Sequence, residues 1–251
     1  VDDEWGSRMA GRVADQGDRL VTWTAGDATD VQMTPAGSRF VWRGRPVEIG
    51  IGGGFNIANA VAAATCAEAM GVPVTAIVDG LAAVGSVAGR FQMVEAGQDF
   101  AVIVDYAHTP DGLAKVLGAA RQICTGRLIV VFGAGGDRDR EKRPLMGDAA
   151  ARLADLVLVT SDNPRDEDPG AIIAEVLEGT GGRDQVRAVE DRAVAISTAL
   201  ATAGPGDVVV IAGKGHERGQ EIAGRVLPFD DVEVARAAIE RILSSRGGAA
   251  R

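Results

Sequence analysis

The chain has 251 residues, 46% apolar and 24% charged, with 34 glycines in no three-residue period and only 9 prolines, which excludes a disordered chain and a collagen-like repeat. A length of about 150 residues per domain gives one or two domains. The formal charge of −9 disfavours nucleic acid and anionic membranes as partners, and no apolar run reaches the roughly 18 residues of a membrane span.

Residues 5–14 read as a helix and 19–24 as a strand. Residues 31–33, 39–43 and 46–51 are short alternating segments between Gly and Pro, the pattern of small antiparallel strands. Residues 56–70 form an Ala-rich helix stopped by Gly71, and 74–84 form another. No βαβ series runs through this part, and a boundary is expected near residue 88. Beyond it, apolar strands at 101–105, 128–132, 156–160, 186–189 and 208–212 alternate with helices at 110–123, 144–153, 169–178, 193–201 and 231–243. Strands apolar throughout imply a parallel sheet buried on both faces and joined by right-handed crossovers. The fold class is α/β. Residues 244–251 are small and polar and are expected to fray.

Cys66 and Cys124 lie in Ala-rich, helix-like surroundings without zinc or disulfide spacing, and read as buried, reduced thiols. No signal peptide is expected, and a reducing, cytoplasmic location fits. The chain starts at Val1 rather than Met and is expected to be a piece of a longer protein. Lys115, Lys142 and Lys214 are its only lysines, and two of the three fall in Gly-rich loops.

Ligands of an open α/β sheet lie beyond the carboxyl ends of its strands. Four of the five strand ends carry clustered polar residues, both histidines among them. The first runs into Asp105-Tyr106-Ala107-His108-Thr109-Pro110. Thr109 and Pro110 suit a helix start, and His108 reads either as a satisfied turn residue or as a site residue. Asp105 closes a buried strand, where an unpaired carboxylate is costly, so a ligand hydroxyl or a metal is expected there.

The second strand runs into Gly133, Gly135 and Gly136, then Arg138, Arg140, Lys142 and Arg143 ahead of a helix at Pro144. A solvated charge run is one reading. An anion site is the better one, because the glycines admit a ligand to the backbone and a helix amino terminus follows. Arginine also suits a carboxylate or a phosphate. The third strand runs into Ser161-Asp162-Asn163-Pro164-Arg165, either a plain turn or the complement of an amino acid, with carboxylate to Arg165 and ammonium to Asp162. Glu190-Asp191-Arg192 reads as a helix cap. The last strand runs into Gly213-Lys214-Gly215-His216-Glu217, a close-approach backbone with Glu217 as a second ammonium partner. No G-x-x-x-x-G-K-[ST] phosphate loop, zinc spacing or G-x-S-x-G elbow occurs, and Gly50-Ile51-Gly52-Gly53-Gly54 reads as a turn. The residues alone indicate an α/β domain for a small ligand that is anionic and zwitterionic.

Val104-Asp105-Tyr106-Ala107-His108-Thr109-Pro110-Asp111, Gly135-Gly136-Asp137-Arg138-Asp139 with Lys142-Arg143-Pro144, Thr160-Ser161-Asp162-Asn163-Pro164-Arg165 and Ala212-Gly213-Lys214-Gly215-His216-Glu217 resemble the motifs of the Mur ligases. The resemblance is greatest to the members that add meso-diaminopimelate. Asp2-Asp3-Glu4-Trp5-Gly6, Gly54-Phe55-Asn56-Ile57-Ala58-Asn59-Ala60 and Val87-Ala88-Gly89-Arg90 follow the family in the same order, so essentially the whole chain is covered. The resemblance implies that residues 1–88 are the carboxyl-terminal part of an ATP-binding α/β central domain. Residues 89–251 would be a Rossmann-like, mostly parallel carboxyl-terminal domain that binds the incoming amino acid. The UDP-binding domain, the phosphate loop and the magnesium ligands would lie outside the chain.

The implied reaction is ATP-dependent amide formation through an acyl phosphate in peptidoglycan precursor synthesis. ATP and Mg2+ would be the cofactors, and UDP-muramoyl dipeptide and meso-diaminopimelate the substrates; the chain is expected to be a monomer and, alone, inactive. The resemblance puts Asn59, Arg90, Asp105 and His108 at the nucleotide. It puts Arg138, Asp162, Asn163, Pro164, Arg165, Gly213 and Glu217 around the amino acid, and no catalytic residue or metal ligand within the chain. A lysine-adding ligase of the same step and a non-catalytic ligand-binding relative are the alternatives.

Overall fold

A computed structural model describes residues 2–15, 20–34 and 36–248. They fall into two compact units that divide between Ser86 and Val87.

The first unit contains α1 (Glu4–Asp15), β1 (Thr29–Thr34), β2 (Gly37–Trp42), β3 (Arg45–Ile49), α2 (Gly54–Ala69) and α3 (Val74–Ala82). The three strands form an antiparallel sheet in the order β1-β2-β3. β2 turns into β3 through Arg43 and Gly44, both at positive φ, which matches the twist of the paired strands. Phe40 and Trp42 alternate inward from β2 and meet Val47 and Ile49 of β3, Ile57 and Val61 of α2 and Ile77 of α3. The strand expected at 19–24 does not form: Arg19 lies outside the described residues, and 20–24 hold no strand. There Thr24 opens a short 3-10 turn, its N–H donating to Asp27 Oδ2 at 2.9 Å. The expectation of two buried thiols is also corrected, since Cys66 is exposed and Cys124 half-buried. The buried stripe of α2 runs through Ile57, Val61 and Thr65, and Cys66 lies off it.

The second unit carries β4 (Gln92–Met93), β5 (Ala101–Asp105), α4 (Pro110–Ile123), β6 (Leu128–Phe132), α5 (Lys142–Leu153), β7 (Leu156–Val159) and α6 (Pro169–Glu178). It continues with β8 (Val186–Ala188), α7 (Arg192–Thr202), β9 (Val208–Ala212), β10 (Gly219–Ile222), β11 (Arg225–Pro228) and α8 (Asp231–Gly248). Six strands form one sheet in the order β4-β5-β9-β6-β7-β8. β5 to β9 are parallel, and β4 is antiparallel to β5. Helices α4, α5 and α6 lie side by side on one face, and α7 and α8 on the other. This double cover is why β6 and β9 are apolar and buried along their whole length. β9 lies between β5 and β6, yet the chain after it leads to α8 on the opposite face from α4 and α5. A crevice opens at such a reversal.

Two elements were not expected. β4 is only two residues long. The β10–β11 hairpin turns at Ala223 and Gly224, both at positive φ, and alanine there gives no turn signal. The last helix continues to Gly248 rather than fraying from 244, with Ile242 and Leu243 packed on the core; residues 249–251 lie outside the described ones. No helix among the described residues is long and apolar enough to cross a membrane.

Asp191 caps α7 as expected, accepting the Val194 N–H at 3.0 Å. Arg192 does more. Its side chain and that of Asp231 are both 0% exposed. The guanidinium donates to the carboxylate through Nε at 2.8 Å and Nη2 at 2.7 Å, and to the Ala212 carbonyl at 3.0 Å. One pair thus joins the starts of α7 and α8 to the end of β9. Arg192→Met leaves Asp231 buried and unpaired, and should lower the urea-unfolding free energy by about 3–5 kcal/mol, whereas Arg192→Met with Asp231→Leu should recover most of that loss.

Candidate functional site

A cleft of about 260 Å³ opens at the carboxyl ends of β5, β6, β7 and β9. His108, Arg138, Asp162 and Asn163 line it, as do Arg165, Gly213 and Glu217. Pro164 does not line it; its carbonyl packs on the loop after β6, so closely that a Cβ on Gly136 would collide with it. Arg90 and Asp105 lie beside the cleft at β5. Asn59 belongs to the other unit, exposed on α2 with its amide 3.5 Å from Asn56 Oδ1.

The floor of the cleft is charged and closely bonded. Lys214, 0% exposed, donates from Nζ to Asn163 Oδ1 at 2.8 Å and to Glu217 Oε2 at 3.2 Å. Asp162 Oδ1 is 3.9 Å from the same ammonium. Asn163 donates from Nδ2 to Glu217 Oε2 at 2.8 Å and accepts the Glu221 N–H at 3.0 Å. Burial pushes the Asp162 carboxyl above its ordinary value, against the pull of Arg192 and Lys214. Gly213, at φ +118, lets the backbone pass where a Cβ would meet the Asp162 carboxylate.

The hairpin clamps the loop after β7. The Arg165 N–H donates to the Glu221 carbonyl at 3.0 Å, and the Ala223 N–H to the Arg165 carbonyl at 2.7 Å. Gln220 Nε2 donates to the Asp162 carbonyl at 2.8 Å. Arg165 Nη1 donates to the Gly136 carbonyl at 2.6 Å, and Nε lies 3.1 Å from Glu221 Oε2. The fork is held on two sides, and Nη2 has no partner among the described residues. Neither Lys214 nor the hairpin was expected at the site. The Gly-Lys-Gly run was the available signal for the first, and none announced the second.

The four cations expected to share an anion site divide two and two. Arg143, 0% exposed, pairs with Glu167 and Glu175 at 2.7 Å each and donates to the Gly135 carbonyl at 3.1 Å. Arg140 also pairs with Glu175. Only Arg138 and Lys142 line the cleft. Lys142 donates to the His108 carbonyl at 3.0 Å, and burial lowers its pKa. The expected helix begins two residues early, at Lys142.

At β5, Asp105 accepts the Phe91 and Ala107 N–H groups at 2.8 Å each. Backbone amides therefore engage the carboxylate for which the sequence predicts a ligand hydroxyl or a metal. Burial still raises its pKa above the ordinary value, and those amides oppose the rise. Among the described residues no group of three or more His, Cys, Asp or Glu could hold a metal ion. Arg90 lies over the Tyr106 ring at 5.2 Å, and His108 and His216 flank that ring at 4.7 and 5.4 Å. His108 Nδ1 is 2.9 Å from the Tyr106 carbonyl, and Thr109 caps α4 through the Gly112 N–H.

Residues 89–215 match the family described as Mur ligase, glutamate ligase domain, and the chain belongs to the Mur ligases. It is similar to the UDP-N-acetylmuramoyl-L-alanyl-D-glutamate–2,6-diaminopimelate ligase of Streptomyces avermitilis, 46% identical over 257 residues, which cover 96% of this chain and 50% of that protein. A solved structure of a ligase of that name superposes with a TM-score of 0.63 at 41% identity, over 85% of this chain and 45% of that one. A MurF ligase from Thermotoga maritima, solved in complex with ADP, has a TM-score of 0.59 at 20% identity over 87% and 47% of the two chains, a likeness of fold alone. The chain spans about half the length of the curated relatives it matches.

Gly136→Ala should lower the urea-unfolding free energy by about 1–3 kcal/mol, because backbone must yield to its Cβ. Gly118→Ala in α4, with nothing within 4 Å of the new Cβ, should instead stabilise by up to about 1 kcal/mol. Hydrogen bonds from Arg143 and from the Asp137 N–H hold the Glu167 carboxyl at about 2, below its ordinary 4.5. That contribution is full above the ordinary value and is lost as pH falls toward about 2. Thermal melts from pH 5 to 2 should show a falling midpoint, with a shallower fall in Glu167→Gln.

Proposed function

We propose that residues 89–251 form the amino-acid-binding domain, and residues 1–88 the end of the ATP-binding central domain, of a ligase that adds meso-diaminopimelate to UDP-N-acetylmuramoyl-L-alanyl-D-glutamate. The observation that carries this reading is the cleft, where the free Nη2 of a braced Arg165 and Arg138 share one cavity with Asp162 and Glu217. An amino-acid end carries one carboxylate and one ammonium, and this set complements both. The S. avermitilis relative, similar over nearly the whole chain, is named for the same substrate.

ATP, when bound, supplies the phosphoryl group that activates the D-glutamate side-chain carboxylate as an acyl phosphate. The residues of this chain do the positioning. Arg165 and Arg138 take the distal carboxylate of diaminopimelate, while Asp162, Glu217 and the Gly213 carbonyl take the distal ammonium. The opposite amine is then held toward the activated carboxylate. Asn163 braces Glu217, and Pro164 seats the loop on Gly136. Arg90 and His108, grouped about Tyr106, serve the nucleotide, and Asp105 fixes the turn beside them; Asn59, on α2 of the other unit, is a nucleotide residue by the resemblance alone. The described residues offer no cluster for the magnesium that the resemblance implies, and its ligands are assigned to the length of the relatives that this chain does not span.

A bare lysine ammonium would meet Arg165 with like charge. Calorimetry on the 251-residue chain should show meso-diaminopimelate bound in preference to L-lysine. Arg165→Ala should weaken diaminopimelate by about tenfold or more, since a carboxylate contact of this kind contributes about 2–4 kcal/mol, and Arg165→Lys should not restore it fully. Equal affinity of the wild-type chain for L-lysine would transfer the reading to the lysine-adding step.

A further inference from the structure

Lys214 does not itself line the cleft, yet its ammonium is wholly buried against two residues that do, Asn163 and Glu217. It follows β9 between Gly213 at φ +118 and Gly215 at φ +55, conformations that side chains rarely adopt. A Cβ on Gly215 would collide with Tyr106, and one on Gly213 with the Asp162 carboxylate. The backbone is therefore pinned on both sides of a lysine whose side chain is wholly buried.

An ammonium can only donate. Lys214 therefore fixes which end of the Asn163 amide faces it: the oxygen, at 2.8 Å. The Glu221 N–H donates to that same oxygen, and the amide nitrogen is left to face Glu217 Oε2. Glu217 Oε2 then carries two bonds, from Asn163 and Lys214, and Oε1 carries none among the described residues. In charge, Asp162 and Glu217 together bring two negatives and Lys214 one positive, so the trio keeps a single net negative charge. One ammonium balances it.

We infer that Lys214 is a positioning residue of the cleft, locking Asn163 and Glu217 in one arrangement and reducing the acid pair to one net negative charge, which a single ammonium balances. This rests on the reading of the cleft as an amino-acid site. It differs from a purely structural role in one respect: the Lys214 ammonium, 3.9 Å from Asp162 Oδ1, favours the charged form of Asp162 against the rise that burial causes. The charged groups acting on Asp162 are Arg192 from α7, Asp231 from α8, Lys142 from α5, and Lys214 and Glu217 from the loop after β9. Arg192 is already bound through two bonds to Asp231. Without Lys214, Asp162 takes up a proton at higher pH and ceases to hold an ammonium.

The test is calorimetric titration of the 251-residue chain with meso-diaminopimelate from pH 5 to 8, for wild type and Lys214→Gln. Glutamine keeps one N–H for Asn163 while removing the charge. The expected result is about tenfold weaker binding at pH 8, with a further loss toward pH 5 that is steeper than any the wild type shows. Urea unfolding checks that the variant is folded. A second measurement needs no variant: selective 15N labelling of the three lysines. Saturation with ligand should shift the Lys214 ammonium signal and leave that of Lys115, in its surface pair with Asp111, in place. An unchanged affinity and pH profile in folded Lys214→Gln, or an unmoved Lys214 signal, overturns the inference while leaving the amino-acid reading intact. If the wild type binds L-lysine instead, the same two readouts with L-lysine decide it. Binding of neither removes the inference together with the reading on which it rests.

Discussion

The pairing of Arg192 with Asp231 governs how much charge the carboxyl end of an apolar sheet can hold. β6 and β9 offer no polar side chain along their length, so every ionic group of the site gathers where they end, at the margin of the low-dielectric interior. A charge there is tolerable only with a partner. Arg192 takes Asp231, Lys214 takes Glu217, and Arg143 takes Glu167 and Glu175. Asp162 is the exception: its nearest ion-pair distance is 3.9 Å, and burial opposes its charge. A group left short of a partner in a cleft is where a ligand cation gains most.

These pairs also fix the walls. Arg192 joins two helix starts to a strand end, and Arg143 ties α5 to the loop and helix after β7. The loops after β6 and β7 then meet backbone to backbone, at Gly136 and Pro164, without room for a methyl group. The hairpin completes the frame by bonding main chain to main chain across Arg165. The shape of the cleft is thus set by peptide groups and buried pairs, while its preference rests on the few side chains that project into it.

The sheet was legible in the sequence because continuous apolar runs separated by helical periodicity have few other interpretations; β5, α4, β6, α6 and β9 fall where the pattern predicts. The strand-end rule then brought seven of the expected residues to one cleft. What escaped depends on distant partners. Arg140 and Arg143 look like any charge run until Glu167 and Glu175, more than twenty residues on, are folded beside them. Lys214 gives no sign of burial without Asn163, and Asp105 none of the two amides that occupy it. The hairpin turns on an alanine in a glycine's conformation, and β4 is too short to show alternation.

The order of these parts along the chain has a consequence for synthesis from the amino terminus. Every residue lining the cleft has been added once Glu217 leaves the ribosome, but Gln220 and Glu221 of the clamp follow it, and Asp231 comes later still. Until then Arg192 lacks the counter-charge that lets it enter the interior, and Arg165 lacks its brace. A nascent chain therefore owns the chemical groups of the cleft before it owns the cleft, which is complete only when Asp231 of α8 has joined Arg192 in the interior.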